Sequence, residues 1–208
     1  MTRDELTRAL PEDLASRDYR DEELDRLLFY AETLLKWNRA MNLVGPMDLS
    51  RLASELLSDS LRLADFLRQI SPDFSGLAWD VGAGAGIPGI PLRIFWQNGS
   101  YIMIESREKR ALFIAHILEL LKLPRATVLR DRVEKYIKTN PVRPQCVLSR
   151  AFLPWPELLK LFAPILDGFL VILANTAPPP MDWRILGESS YPSAGKTRWI
   201  WALSPRFL

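Results

Sequence analysis

The stretch of the chain with the clearest chemical signature is residues 80–89, which read Asp-Val-Gly-Ala-Gly-Ala-Gly-Ile-Pro-Gly. Glycine has no Cβ, so a run of alternating glycines allows the backbone to approach a bound ligand closely. Such a loop, placed between a strand-like apolar run and a helix, is typical of nucleotide-cofactor sites. An acidic residue, Asp80, stands directly before the glycines, and Glu105 ends the next apolar run. The spacing predicts a cofactor site in which carboxyl groups stand beside closely approaching backbone.

The glycine run can be aligned with two cofactor motifs. The dinucleotide motif G-x-G-x-x-G fails from Gly82, because Ile87 takes the third glycine position, and from Gly84 it begins well after the predicted strand end. The other register is Asp80-x-Gly82-x-Gly84-x-Gly86, which resembles the first motif of class I S-adenosylmethionine (SAM) methyltransferases. A carboxylate there suits a cationic ligand and would repel a pyrophosphate. SAM is therefore favoured, and a glycine loop without ligand is the alternative.

Glu105 and a basic segment give two further indications. Glu105 stands where a carboxylate can accept hydrogen bonds from the two hydroxyls of a ribose, as acidic residues do in both cofactor classes. Residues 125–150 carry seven cations against Asp131 and Glu134, so this segment could follow a phosphate backbone. Charge alone leaves a solvated surface as the alternative.

The composition excludes several classes of protein and site. A chain of 208 residues is long enough for one α/β domain with a modest appendage. Because Cys146 and His116 are the only residues of their types, we expect no disulfide framework, no metal site and no hydrolase triad. No apolar run reaches the roughly 18 residues of a membrane span, and the acidic N-terminus is unlike a secretory signal. The expected location is the cytoplasm, away from membranes.

The N-terminal third of the chain has helical periodicity. From Asp21 onward, leucines and alanines recur at the spacing of one buried helical face. Asp48 is a plausible N-cap for a second long helix. Residues 71–76 are rich in turn-forming types. We therefore expect a helical cap over residues 1–75, followed by a cofactor-binding core over residues 76–208.

The rest of the chain alternates between strand-sized apolar runs and helices, which predicts an α/β fold with a mostly parallel sheet covered on both faces. The last apolar run, 197–203, is predicted to be an edge strand. Ser106 is predicted to cap the helix over 107–122, with a buried stripe of Leu112, Ala115, Leu118 and Leu121. The other predicted strands cover 77–81, 100–105, 126–130, 145–149 and 168–174, and the other helices 87–97 and 155–164.

Seven stretches resemble one family, and they occur in the family's order along the chain. They are WNRAMNL (37–43), DSL (59–61), DVGAGAGIPGIPL (80–92), ESREKRALFI (105–114), DRVEKY (131–136), LSRAF (148–152) and TRWIWAL (197–203). Together they resemble the RsmG, or GidB, family, which is known as a bacterial methyltransferase of guanine N7 in 16S ribosomal RNA. The resemblance spans roughly residues 20–203, and it implies a class I SAM-dependent methyltransferase with a Rossmann-like core and an N-terminal helical cap.

The resemblance also implies roles for particular residues. Gly82 and Ile87 would line the cofactor loop together with Asp80, Gly84 and Gly86. Glu105 would hold the ribose. The adenine would lie by Val133 and Glu134, Arg150 would reach into the cofactor and substrate cleft as the catalytic residue, and a cap over the site would include Trp37, Asn38 and Asn42.

This chain departs from the family pattern at three places. Leu56 stands where the family has a histidine, three residues before Asp59. Gln145 replaces an aspartate at the start of the fourth strand, and Asn175 with Thr176 replaces a Lys-Gly pair after the fifth. These changes leave the predicted cofactor residues in place. They remove polar groups that would lie near the cleft, so RNA docking is the function they put in question.

Guanine N7 is an in-plane lone pair that carries no proton at neutral pH, so its methylation needs alignment and water exclusion and no general base. The expected partner is 16S ribosomal RNA or the 30S subunit, and nothing in the sequence demands more than a monomer. Two alternatives stay open. One is a methyltransferase of the same fold that acts on another RNA position or a small molecule. The other is a descendant that binds SAM or RNA without turnover.

Overall fold

The structure is a computed structural model that describes residues 2–205, and within this range the chain forms seven strands. They are β1 (Leu77–Val81), β2 (Ser100–Ile104), β3 (Ala126–Leu129), β4 (Cys146–Arg150), β5 (Phe169–Ala174), β6 (Trp183–Ser193) and β7 (Lys196–Pro205). They form one sheet in the order β3-β2-β1-β4-β5-β7-β6. The first five strands are parallel, and β7 and β6 continue the sheet in antiparallel pairing. The predicted α/β fold with a mostly parallel sheet is confirmed.

The order of the strands predicts where a ligand should bind. From β1 the chain builds outward through β2 to β3, and then returns to the other side of β1 with β4 and β5. In such sheets, ligands bind beyond the carboxyl ends of the strands at the point where the order reverses. That point lies here between β1, which precedes the glycine run, and β4, which ends at Arg150.

The prediction that residues 197–203 form the edge strand is wrong. These residues belong to β7, which pairs with β5 on one side and β6 on the other. Ile200–Leu203 are buried, as a strand with neighbours on both sides requires. The edge strand on this side of the sheet is β6, which sequence patterning does not mark because glycine, serine and proline make up nearly half of it. The exposed Arg184, Glu188 and Pro192 suit an edge that must not pair further, although Ile185 and Leu186 are exposed beside them.

Nine α-helices lie within residues 2–205: α1 (Arg3–Ala9), α2 (Glu12–Ala15), α3 (Asp21–Met41), α4 (Leu49–Arg51), α5 (Ser58–Ile70), α6 (Gly89–Phe95), α7 (Glu108–Leu121), α8 (Val133–Thr139) and α9 (Trp155–Phe162). A π-helical segment, Leu52–Leu57, joins α4 to α5, so residues 49–70 form one continuous helical rod. The predicted cap at Asp48 is confirmed, because its side chain accepts a hydrogen bond from the Arg51 N–H at 2.9 Å. None of these helices combines the length and apolar character that crossing a membrane needs.

The details predicted for α7 are wrong in two respects. Its N-cap is Arg107 rather than Ser106. Of the predicted stripe, Leu118 and Leu121 are buried, but Leu112 is 59% exposed and Ala115 is exposed as well. The rest of the buried face is formed by Ala111, Phe113, Ile114 and Ile117. Nearly every residue from Ala111 to Leu121 is apolar, so periodicity alone does not single out the face that the rest of the fold covers.

Apolar side chains cover both faces of the sheet. One cluster joins the N-terminal helices to the sheet face that carries Ala78 and Leu148. A second cluster, around Trp79 and Phe162, fills the opposite face. Successive strand residues point to opposite faces, so one strand such as β1 serves both clusters. The division at residue 75 stays a prediction, because the cap and one sheet face share a continuous core.

Candidate active site

The glycine run forms a tight turn at the carboxyl end of β1. Gly82, Gly84 and Gly86 have φ angles of 69°, 61° and 81°, a left-handed conformation that residues with a Cβ rarely adopt. The backbone N–H groups of Gly82 and Ala83 both donate to the carbonyl of Ile104, at 2.9 and 3.2 Å. The alternating glycines are therefore a requirement of the backbone, and the loop is tied to β2.

Neighbouring side chains also leave no room beside this loop. A Cβ at Gly82 would lie 2.6 Å from Cδ2 of Phe152, and one at Gly86 would lie 2.4 Å from Cδ1 of Ile90. On the cap side, the buried hydroxyl of Tyr30 donates to the Ala85 carbonyl at 2.8 Å. The loop is thus held by both the cap and α6.

A cavity of about 640 Å³ opens at the carboxyl ends of β1, β4 and β5, at the reversal point of the sheet. We call it the glycine-loop cavity. Its lining brings together Gly82, Gly84 and Ile87 of the loop with Arg150 at the end of β4. The sequence predicted all four residues for one site. The lining also includes Leu43, Val44, Gly45, Met47, Leu56, Arg110, Trp155, Asn175, Thr176 and Arg198.

A second cavity of about 880 Å³ meets the first at Gly82, and we call it the Glu105 cavity. It is lined by the predicted residues Glu105, Val133 and Glu134. Val133 is buried and begins α8, whereas Glu134 is exposed. The ring of Phe152 also lines this cavity, beside Gly82. Phe152 ends the motif LSRAF (148–152), and the sequence predicts no role for it.

The carboxylate of Glu105 is fixed by backbone donors. Its Oε2 accepts from the N–H of Gly84 at 2.8 Å, and its Oε1 accepts from the N–H of Arg107 at 2.7 Å. The side chain is 5% exposed and lies on the wall of the Glu105 cavity. Glu105 therefore links the glycine loop to the end of β2 and presents a fixed acceptor pair to the cavity.

Asp80 and Gly86 were predicted for the same site, yet neither is among the residues that line the two cavities. The carboxyl group of Asp80 is buried beneath the loop. Its Oδ2 accepts from the hydroxyl of Tyr101 at 3.2 Å, and the N–H of Gly89 also bonds to the group. Burial raises the pKa of Asp80 to about 7. Direct cofactor contact by Asp80 stays a prediction; its observed contacts anchor the first turn of α6.

Arg150 is held by a residue of the helical cap. Its Nη2 lies 3.1 Å from Oδ2 of Asp59, and the hydroxyl of Tyr191 donates to Oδ1 of the same carboxylate at 2.8 Å. Asp59 lies on α5 and is 1% exposed, while Tyr191 is a buried residue of β6. Burial raises the pKa of Asp59, and the positive charge of Arg150 opposes that shift.

A second arginine, Arg198 of β7, reaches the glycine-loop cavity from the C-terminal hairpin. Its Nη1 donates to Oδ1 of Asn175 at 2.6 Å. Arg198 lies in the motif TRWIWAL (197–203) with no predicted role, and Asn175 is one of the departures from the family pattern. The antiparallel pairing of β7 with β5 brings the two side chains together, and no local sequence signal marks that contact.

The predicted cap residues have three different positions. The side chain of Asn38 fixes the loop that lines the cavity: its Oδ1 accepts from the Val44 N–H at 2.9 Å, and its Nδ2 donates to the Gly45 carbonyl at 3.3 Å. Asn42 ends α3 in a left-handed conformation. Trp37 does not line the cavity, and its ring instead stacks on His116 of α7 with centroids 5.1 Å apart.

Two of the departures from the family pattern differ in their distance from the site: one lines a cavity and the other lies away from both cavities. Leu56 lines the glycine-loop cavity, so the change there does bear on the cleft. Gln145 precedes β4 at the amino-terminal end of the parallel strands, where its Oε1 accepts from the N–H of Leu77 at 2.7 Å. A Cβ at Gly76 would lie 2.8 Å from that oxygen. Gln145 therefore braces the start of β1, far from both cavities.

The two cavities together can hold an extended ligand with polar groups at both ends. Their volumes lie within the roughly 300–1,000 Å³ typical of small-molecule sites. Glu105 offers hydrogen-bond acceptors, and Arg150 and Arg198 offer donors and positive charge. Within residues 2–205, no group of three or more His, Cys, Asp or Glu side chains is placed to bind a metal ion.

Comparison with known proteins gives consistent results. The family model for GidB, described as rRNA small subunit methyltransferase G, matches residues 23–176. A ribosomal RNA small subunit methyltransferase G from Lawsonia intracellularis is 42% identical over 188 residues, which are 88% of this chain and 87% of that protein. The protein of the same name from Oleidesulfovibrio alaskensis is 38% identical over 195 residues, covering 86% and 85% of the two chains.

Solved structures extend the similarity at the level of the fold alone. The magnesium protoporphyrin IX methyltransferase of Synechocystis PCC 6803, solved with bound SAM, superimposes with a TM-score of 0.61 at 12% identity. The match covers 91% of this chain and all of that one. An rRNA methylase from Streptococcus thermophilus gives a TM-score of 0.52 at 12% identity, covering 69% and 94% of the two chains. The class I methyltransferase fold is thereby confirmed.

Proposed function

The chain belongs to the GidB family, rRNA small subunit methyltransferase G, and from that membership we propose that it transfers a methyl group from SAM to N7 of a guanine in 16S ribosomal RNA. It is a SAM-dependent methyltransferase of class I fold. The structural observation that best supports the proposal is that Gly82 of the glycine loop lines two neighbouring cavities. One carries Glu105 and the other Arg150.

The residues of the two cavities fit the cofactor. Gly82 lines both cavities and has no Cβ, as expected of a loop whose backbone a ligand approaches closely. We assign the ribose to Glu105 and the adenine to Val133 and Glu134, which line the same cavity. The loop and Arg150 would hold the methionine portion in the glycine-loop cavity. SAM, when bound, supplies an electrophilic methyl group on a sulfonium ion.

The side chains of the glycine-loop cavity agree with the demands of guanine N7 as a nucleophile. N7 accepts hydrogen bonds on the major-groove edge beside O6, and its lone pair needs no base to expose it. Within the described residues, the cavity lining contains no histidine, carboxylate or thiol that could act as a general base. What the lining does contain is Arg150 and Arg198, donors that can orient the O6 edge or a phosphate. Alignment and exclusion of water are then the contributions of the protein.

The finer partner assignments are part of the same proposal. Arg132, Lys135 and Lys138 of the basic segment line the Glu105 cavity, so RNA phosphates could approach at its rim. We propose that the protein acts as a monomer in the cytoplasm, with the helical cap over residues 1–75 closing one side of the cleft. The 30S subunit and free 16S RNA are the two candidate substrates.

The test is transfer of radiolabelled methyl groups from SAM to RNA that lacks its own N7 methylation, supplied both as 30S subunits and as free 16S RNA. We expect label at one guanine N7, with one of the two substrates clearly preferred. Arg150→Ala is the matched variant, and it should lose the transfer.

Three outcomes would count against the proposal. Label at another RNA position would make the chain a methyltransferase of different target. Calorimetric binding of SAM without any label would make it a binding protein in which Leu56 and Asn175 have removed the substrate. Undiminished transfer by Arg150→Ala would contradict the role given to Arg150.

A further inference from the structure

The buried carboxylate of Asp59 joins three elements that are distant in sequence. Asp59 belongs to α5 of the helical cap, its Oδ2 pairs with Arg150 at the end of β4, and its Oδ1 accepts from Tyr191 of β6. A carboxylate that is 1% exposed is costly to bury unless its partners repay the lost hydration. Here both oxygens have a partner, so the group is fixed in place.

The partner at the cavity, Arg150, has few other constraints. Its side chain is 18% exposed, and within residues 2–205 Asp59 supplies the only carboxylate within 4 Å of its guanidinium. Arginine carries five N–H donors in a rigid plane, so an ion pair with Asp59 leaves donors for the cavity. The ion pair holds one Nη of the guanidinium beside Asp59 and so limits where the rest of the plane can lie.

Tyr191 holds the carboxylate from the side away from Arg150. Its ring is covered by the guanidinium of Arg62, which lies 4.7 Å from the ring centroid, and Arg62 is itself paired with Asp13 at the surface. The hydroxyl of Tyr191 therefore has a fixed position from which to donate to Asp59. The chain of contacts runs from the edge strand through the cap to the cavity wall.

We propose that Asp59 is a positioning residue for Arg150, and that Tyr191 holds Asp59 in the orientation this requires. Asp59 does not itself line either cavity, so it acts on ligand only through the arginine. The inference rests on the proposed function in one respect, because it takes Arg150 to contact the cofactor or the guanine. The proposal also gives a function to the contact between α5 of the cap and the end of β4.

A neutral side chain would not serve in the place of Asp59. The positive charges of Arg150, Arg198 and Arg62 all act on this carboxylate, which is the common anion of the group. Without it, Arg150 and Arg198 would repel each other across the cavity wall and their planes would lose the fixed reference. The charge of Asp59, as well as its hydrogen bonds, is therefore part of its role.

The experiment is a double-mutant cycle with Asp59→Asn, Arg150→Gln and the combined variant. Two quantities are measured for each protein: kcat/KM for RNA methylation, and the Kd for S-adenosylhomocysteine by calorimetry. Asp59→Asn should lower kcat/KM by about tenfold, a typical coupling for residues in contact. In the Arg150→Gln background the same change should cause no further loss of kcat/KM, nor any further rise in Kd, because there is no arginine left to position.

A matched control is available on the same helix. Asp65 lies on the outer side of α5, where it pairs with Arg17 and Arg68 at the surface. Asp65→Asn should leave kcat/KM and Kd within about twofold of the wild type, since exposed pairs contribute little. The unfolding free energy of each variant is measured first. If Arg150→Gln does not fold, Arg150→Met takes its place, because it also removes the cation opposite Asp59 while keeping much of the side-chain volume.

Multiplicative losses in the combined variant would overturn the proposal, because Asp59 would then act independently of Arg150. Wild-type kcat/KM and Kd in folded Asp59→Asn would overturn it as well. A failure of the proposed function is recognised separately. In that case the wild type binds S-adenosylhomocysteine without methylating 16S RNA, and the Kd values alone complete the cycle.

Discussion

Two buried carboxyl groups stand behind the site, and they are held in different ways. Asp80 lies beneath the glycine loop, where its partners are the hydroxyl of Tyr101 and the N–H of Gly89, both uncharged. Asp59 lies behind the opposite wall, where its partners are Tyr191 and the cation Arg150. Each of the two is 1% exposed. The two groups are therefore equally buried, but Asp80 is held by uncharged hydrogen-bond donors, whereas Asp59 forms an ion pair with Arg150.

The difference follows from how each wall is built. The glycine-loop wall consists of residues 80–89, where consecutive backbone turns and small residues set the shape. The Arg150 wall needs side chains from α5, β4, β6 and β7, and the Asp59–Tyr191 contact alone spans 132 residues of sequence. The glycine-loop wall holds its carboxyl group with uncharged partners, and burial raises the pKa of that group to about 7. A wall assembled from distant elements uses charge to fix their relative positions.

The largest expected effect tests the neutral character of Asp80. Its pKa of about 7 in the folded protein lies above the ordinary aspartate value, so its stabilising contribution is full at acid pH and is lost as pH rises through 7. Asp80→Asn keeps an oxygen that can accept from Tyr101 and Gly89 without this titration. Relative to wild type, we expect the variant to gain about 3 kcal/mol of unfolding free energy between pH 5 and pH 8.

Urea unfolding at several pH values, without added ligand, measures this difference. Parallel stability curves for wild type and Asp80→Asn would mean that Asp80 is ionised throughout, and the contrast between the two walls would then be lost. A gain that continues to grow well above pH 7 would mean that the folded-state pKa lies higher still.

The geometry of the glycine-loop wall predicts a second, smaller effect. Gly82→Ala places a Cβ on a backbone with φ of 69°, 2.6 Å from the ring of Phe152. The left-handed conformation and the displaced ring should together cost about 2 kcal/mol of unfolding free energy. SAM binding, measured by calorimetry, should weaken with it, because the same Cβ narrows both cavities.

Gly45 gives the matched control for this substitution. It also lines the glycine-loop cavity, but a Cβ there would meet no atom within 4 Å. Gly45→Ala should therefore change stability by less than about 0.5 kcal/mol. Equal losses in the two variants would refute the conclusion that local backbone geometry builds the loop wall.

The same division explains what the sequence could predict. Gly82, Ile87, Glu105, Val133 and Glu134 follow the ends of strands whose apolar runs mark them clearly, and all five line a cavity. Local sequence patterns are enough to predict these residues, because the carboxyl ends of parallel strands lie together at one end of the sheet.

Of the Arg150 wall, the sequence predicts only Arg150, through the family resemblance, and it predicts neither the side chains that hold this arginine nor the strand that completes the wall. The polar strand β6 carries Tyr191 yet has the composition of a surface segment, so neither the strand nor its bond to Asp59 has a local signal. Arg198 and Asn175 meet only because β7 pairs with β5. The position of Asp80 at a strand tip predicts contact with the ligand, and that contact stays a prediction; the observed partners of its side chain, the Tyr101 hydroxyl and the Gly89 N–H, have no local sequence signal.

The smallest of the three expected effects concerns one hydroxyl of the Arg150 wall. Tyr191→Phe removes the donor to Oδ1 of Asp59 and leaves the ring beneath Arg62. A hydrogen bond to a buried charge contributes about 1.5 kcal/mol or more, so unfolding free energy should fall by about that amount. Methylation should also fall, but by less than the tenfold expected of Asp59→Asn, because the ion pair between Asp59 and Arg150 is kept while the carboxylate loses one of its two partners. Tyr19→Phe is the control, since the buried Tyr19 hydroxyl has no hydrogen-bond partner within residues 2–205 and its removal should cost nothing. If both variants were equally stable, the hydroxyl of Tyr191 would contribute no more than an unpartnered one, and the distant wall would depend on the Asp59–Arg150 pair alone.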